Sequence, residues 1–219
     1  MKKYEFTSET IETMDGHTLH RIRALRDFSD IKAGDLGGFI ETEDNLSHDG
    51  DCWVGDDAYI YRDVARVYEN AIVCGDAVVC GQVYGNAHVS GYTRVYIDAH
   101  VYGNARILKE AWVYSNAHVF GDSEVAGSAR IASGAKVYGN AKIAAHAKII
   151  GEVYENAKIG GRVRIYGSVY GNAKIAGNGH VYGKAYGNAK ITGKNKCYIP
   201  TNCEVYEGDN IVEIVNTAA

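Results

Sequence analysis

A neutral imidazole can act as a general base near neutral pH or ligate a metal, so the placement of the histidines comes first. Five of them, His88, His100, His118, His146 and His180, fall in the repetitive part of the chain. His88, His100, His118 and His180 occupy a place that other repeats give to Lys or Arg, which is the behaviour of an exposed corner residue. His146 stands at a different place, one that varies freely between repeats, and is the remaining candidate base. His100 and His118 lie one repeat apart and should stack about 5 Å from one another. A water-activating zinc needs three imidazoles and an open fourth position, and the places flanking that pair hold Gln82 and Lys136, so no zinc site is expected. Cys52, Cys74, Cys80, Cys197 and Cys203 are odd in number and scattered, without a C-x-x-C pair, which indicates free thiols. Phosphate-binding loops, nucleophile elbows and paired carboxylates have no signature in the sequence, and Asn45-Leu46-Ser47 has no meaning for glycosylation without an export signal.

What does recur without interruption is aromatic and basic. Tyr138, Tyr154, Tyr170 and Tyr186 are each followed four residues later by Lys142, Lys158, Lys174 and Lys190. The aromatic series runs back through Phe120, Tyr102, Tyr84 and Tyr68, and a second, interrupted series holds Tyr96, Tyr114, Tyr166, Tyr182 and Tyr198. Tyr suits interfaces through its apolar body and polar tip, and a column of Lys repels itself until it meets an anion. These eight Tyr and Lys residues are therefore the expected binding surface, for an acidic protein or an anionic, nucleotide-type ligand. The same columns also stabilise a stack through contacts between neighbours.

The elements that would position these residues follow from one period. From Val67 the chain divides into eight units of 16 or 18 residues, and Val83, Val89, Val95, Val101, Ile107, Val113, Val119 and Val125 recur every sixth position. A helix would place apolar residues three or four apart and a plain strand two apart, so a period of six describes short strands broken by corners. In V-Y-G-N-A-K the first and fifth residues point inward, Gly and Asn take the corner, and the second and sixth point outward. Three hexads make one coil, and coils stack by parallel strand pairing at about 4.8 Å. The 16-residue units have a shortened third side, and residues 54–67 are off register by one, which predicts a bulge in the first coil.

An aliphatic residue every sixth position with a small residue two before it resembles the hexapeptide-repeat parallel β-helix class, over residues 54 to about 208. The resemblance implies an all-β, single-stranded, left-handed parallel β-helix with an N-terminal β-hairpin cap. Members of that class are commonly trimers, and many are acyltransferases in which a His serves as base beside an acyl-CoA groove, often built by an inserted loop. Residues 67–200 contain no such insertion. A narrower resemblance lies in residues 24–54, through Arg26-Asp27-Phe28, Ile31-Lys32-Ala33-Gly34, Gly37-Gly38 and Gly50-Asp51-Cys52-Trp53. It is to the YdcK-like family of bacterial and prophage proteins, and implies a bacterial or phage origin.

The chain has 219 residues, a net charge of −4, 26 Gly and a single Pro. Its charge is polarised: residues 1–76 hold 17 acids and 8 bases, and residues 125–200 hold 2 acids and 12 bases. No apolar run is long enough to span a bilayer and no leader is evident, so a cytoplasmic protein without membrane partners is expected. Residues 1–45 read as a hairpin and loop cap around Asp15-Gly16, 46–208 as the β-helix, and 209–219 as a closing strand. The functional expectation is a non-enzymatic binding or scaffold protein, a homo-oligomer with trimer ahead of dimer, needing no cofactor and sequestering a host factor. The alternatives are a hexapeptide-repeat acyltransferase and a structural part of a virion.

Overall fold

A computed structural model describes residues 2–96, 98–193 and 197–214. The chain is an all-β solenoid of about nine turns, and among the described residues its one helical element is a single 3-10 turn, Glu43–Asn45. Each coil contributes a short strand to each of three faces. Face 1 carries Gln82–Val83, His100–Val101, His118–Val119 and Lys136–Val137; face 2 carries His88–Val89, Arg106–Ile107, Glu124–Val125 and Lys142–Ile143. Face 3 carries nine stacked strands, from Tyr59–Ile60 to Cys197–Ile199. Neighbouring coils pair in parallel, and the inward Val, Ile and Ala form one continuous buried core.

The corners explain the rest of the hexad. The third position is left-handed, as at Gly85, Gly103, Gly121 and Gly139. Glu69 and Glu155 take the same conformation with φ of 60° and 57°, and each accepts a hydrogen bond from the corner glycine of the next coil, Gly85 N at 2.8 Å and Gly171 N at 2.9 Å. Asn at the fourth position does not take positive φ in these corners. It forms a ladder instead, in which the Asn86 amide donates to Asn104 at 3.0 Å and Asn140 to Asn156 at 3.0 Å.

In the 16-residue coils the two missing residues come out of the corner between faces 3 and 1, while all three strands are kept. Gly151, Gly167 and Gly183 stack there, and a Cβ on any of them would lie 2.0 Å from a carbonyl oxygen of the next coil. The one-residue slip at 54–67 is likewise absorbed in a corner. Arg62 takes φ 88°, and Arg66 and Val67 still pair in register with Gln82 and Val83.

The N-terminal hairpin forms as the Asp15-Gly16 pair predicts, with β1 (Tyr4–Glu12) antiparallel to β2 (Thr18–Ala24). The part of residues 1–45 expected as loop contains a further strand, β3 (Leu36–Ile40). β3 is antiparallel to β2 and parallel to Tyr59–Ile60, so the hairpin extends face 3 beyond the first coil. Gly37 and Gly38 hide this strand from a propensity reading, but a Cβ on Gly37 would strike Ile22 and Trp53, and one on Gly38 the carbonyl of Ala58. At the other end Val212–Glu213 pairs antiparallel to Cys203–Glu204, with Val212 exposed. The rest of the expected closing strand, residues 215–219, lies outside the described residues.

Candidate functional site

The columns expected from the sequence are present. Tyr138, Tyr154, Tyr170 and Tyr186 stack ring on ring at 4.9, 4.8 and 5.0 Å, in a series continuous with Tyr68, Tyr84, Tyr102 and Phe120. Lys142, Lys158, Lys174 and Lys190 are successive register partners on face 2 and are exposed. The two columns are separated by a corner and line none of the clefts described below. His100 and His118 stack at 4.9 Å, and among the described residues no group of three metal-ligating side chains converges there or elsewhere.

Convergence of unlike groups occurs at the N-terminal cap, where the hairpin turn folds against the first coils. His17 Nδ1 lies 2.7 Å from Glu41 Oε1, and the second carboxylate oxygen of Glu41 accepts the Arg62 N–H at 2.7 Å. Arg62 stands at the third place of its corner and takes positive φ there, 88°, as the corner glycines do. Burial pushes the Glu41 carboxyl up, but the hydrogen bonds from His17 and Arg62 outweigh it and hold the group below its ordinary range. A carboxylate on Nδ1 makes that nitrogen the donor, so that in the neutral imidazole the lone pair is on Nε2. His17 is held in turn by Thr13, whose hydroxyl accepts the His17 N–H at 3.0 Å, and by Tyr61, whose ring centroid is 5.2 Å away. Nε2 lies 3.7 Å from Asp15 Oδ2, and Asp15 is paired to the Arg62 guanidinium.

Two clefts share Tyr61 and Tyr96 and are lined by the neighbours of the dyad, Asp15, Tyr61 and Arg62, though not by His17 or Glu41 themselves. One, of about 570 Å³, is lined by Tyr61, Arg62, Val64, Cys80, Tyr96 and Asp98. The other, of about 530 Å³, runs under the hairpin tip between Thr13, Asp15, Tyr59 and Arg94. Burial pushes the Cys80 thiol up to about 11 and the Tyr96 hydroxyl up to about 12, and also raises Tyr61. All three are protonated donors at neutral pH.

His146, the base candidate of the sequence, is exposed and stands on the rim of two further clefts with Arg162, but no carboxylate lies within 4.0 Å of it among the described residues. Sequence reasoning passed over His17, Glu41, Tyr61 and Arg62. Two signals could have found them: the Asp15-Gly16-His17 turn and the seven-residue step from Ile60 to Val67.

No family model matches the chain. It is similar to the uncharacterized acetyltransferase YdcK of Escherichia coli (strain K12), 32% identical over 96 residues, which are 41% of this chain and 29% of that protein. The chain thus spans under a third of that relative's length. The match bears out the resemblance to YdcK-like, hexapeptide-repeat proteins. It also overturns the expectation of a non-enzymatic scaffold, because the relative is named as an acetyltransferase and the solenoid is of the kind acyltransferases use. Among the described residues none of His88, His100, His118, His146 and His180 has a carboxylate within 4.0 Å, whereas His17 does.

Proposed function

We propose that the protein transfers an acyl group from a thioester donor to a hydroxyl or amine, with His17 as general base. The observation that carries the reading is the His17–Glu41 dyad, whose neighbours Asp15, Tyr61 and Arg62 line two adjoining clefts. His17 Nε2 takes the proton of the acceptor as its oxygen or nitrogen attacks the thioester carbonyl, and the imidazolium is stabilised by Glu41 and Asp15. The tetrahedral oxyanion is met by the protonated hydroxyl of Tyr61 or Tyr96. Collapse of the intermediate breaks the carbon–sulfur bond, and the departing thiolate receives the proton from Nε2. One cleft holds the donor and the other the acceptor. The named activity of the E. coli relative supports this chemistry, and the five free thiols suit a cytoplasmic protein. A homo-oligomer, trimer ahead of dimer, belongs to the same reading, and is supported by the frequency with which solenoids of this kind form oligomers.

The test is release of free thiol from acetyl-CoA in the presence of a panel of sugar and amine acceptors. His17→Gln should lower kcat/KM by about 100-fold or more, the lower end of what a positioned base supplies. Transfer that survives His17→Gln unchanged would remove the dyad from the mechanism.

A further inference from the structure

Face 3 presents a second, unassigned feature that joins the candidate site. Its places in strict register, one per coil, are Tyr59, Val78, Arg94, Trp112, Arg130, Lys148, Arg164, His180 and Tyr198, and Val78 is buried, so the open lane begins at Arg94. Six steps at about 4.8 Å, from Arg94 to Tyr198, make it about 29 Å long. Arg162 flanks it, and three adjoining clefts of about 340, 440 and 500 Å³ run along its C-terminal half, all of them lined by Arg162. Among the described residues none of Arg130, Lys148, Arg162 and Arg164 has a carboxylate within 4.0 Å, whereas Arg21, Arg23, Arg62 and Arg106 all do. At the rim Glu110 accepts a hydrogen bond from Ser128 at 2.9 Å.

Cations one coil apart repel one another, and leaving four of them unpaired in a row of clefts points to an external anion. The lane meets the N-terminal cap at Arg94, which also lines the cleft under the hairpin tip with Asp15 and Tyr61, the neighbours of His17. Its length exceeds any single small acceptor. Aromatic rings lie on it at Trp112, His180 and Tyr198 and beside it at Tyr96, Tyr166 and Tyr182, so oligothymidylate is the competing ligand that the test has to separate from a glycan. Resting on the acyl-transfer reading, which requires a hydroxyl or amine on the acceptor, we infer that face 3 is a track for a linear acidic glycan whose hydroxyls are presented to His17. The guanidinia take its anionic groups and the exposed rings of Trp112 and Tyr198 its sugar faces.

Trp112 is 38% exposed while the other tryptophan, Trp53, is buried, so intrinsic fluorescence reports on the lane. The experiment titrates the full chain with oligogalacturonate, with neutral dextran of equal length and with oligothymidylate of equal charge. It is repeated on Lys148→Glu/Arg164→Glu and, as a control of like charge change on face 2, on Lys158→Glu/Lys174→Glu, with melting curves confirming the fold. Oligogalacturonate should bind, weaken steeply with salt, and lose about tenfold or more in affinity in the face-3 variant alone, since reversed charges face the anion. Absent binding, equal losses in both variants, or oligothymidylate binding as tightly as the glycan would each overturn the proposal. Thiol release from acetyl-CoA, measured on the same samples, separates the two claims. Glycan binding without transfer would sink acyl transfer and leave the track standing, and transfer to small acceptors without glycan binding would do the reverse.

Discussion

Gly167→Ala adds a single methyl group, and the geometry of the short corner sets its cost. The new Cβ would sit 2.0 Å from the Gly183 oxygen and 2.3 Å from the Tyr182 oxygen, where ordinary contact begins at 3.4 Å. The coils must therefore separate locally by more than an ångström. Three ladder bonds hold them there: Tyr166 N to Val181 O at 2.8 Å, Gly167 N to Val181 O at 3.1 Å and Ser168 N to Gly183 O at 3.2 Å. Losing two of these costs about 1–3 kcal/mol net, and the overpacking adds about 1–3 kcal/mol. A loss of about 2–6 kcal/mol lowers the melting temperature by about 5–20 °C in a chain of this size. Gly160→Ala is the matched control, because its Cβ meets only Ala176 at 3.9 Å and its φ is not positive. It should be neutral or slightly stabilising, by about 0.4–1 kcal/mol. Thermal unfolding followed by far-UV circular dichroism reads both. Equal melting temperatures for the two variants would show that the short corner is not held by contact between glycines, and the account of the 16-residue coil would fail.

Other expectations follow from particular contacts. The Glu41 carboxyl is held below its unfolded value, so its contribution to stability is present above the ordinary carboxylate range and is lost as pH falls through its folded value; acid titration of Glu41→Gln should therefore show a smaller loss of stability than wild type. Tyr154→Ala removes two stacked contacts and should lower stability by about 1–3 kcal/mol, whereas Tyr154→Phe should be neutral in melting experiments, since Phe120 already serves as a rung of the same ladder. Lys158→Glu stands between Lys142 and Lys174 and should leave the melting temperature unchanged or raise it, an outcome reversed only if the column is neutralised by a bound partner.

The repeat was legible because a period of six is written locally: every strand, inward residue and ladder partner repeats the same six-letter instruction. Tyr138 over Tyr154 and Lys142 beside Lys158 could be placed by counting alone. β3 was not legible, since Gly37 and Gly38 are chosen for close approach to Trp53 and Ala58 and not for strand propensity. The dyad was hidden for another reason. Its parts come from residues 15–17, 41 and 61–62, and only the folding of the hairpin back along face 3 brings them together. The cations of face 3 were hidden by identity, because Arg94, Arg130, Lys148 and Arg164 alternate with Trp112 and so resemble ordinary variation at an outward place.

A regular solenoid offers each coil the same chemistry, and a stack of like groups cannot build a base with its carboxylate, an oxyanion donor and a substrate cleft. Such a site needs unlike groups converging, so it has to arise where the repeat is broken. Here the breaks coincide: the hairpin turn supplies His17, the end of β3 supplies Glu41, and the seven-residue step supplies the Arg62 amide that pins Glu41. Restoring the register by deleting one residue between Ile60 and Val67 should then keep the coils and their parallel pairing, because that pairing is already in register on either side of the corner. It should also release Glu41 from Arg62, loosen His17, and abolish acyl transfer without lowering the strand content. If such a deletion variant kept full transfer, the dyad would be a clasp for the hairpin, and the base would have to be sought at His146.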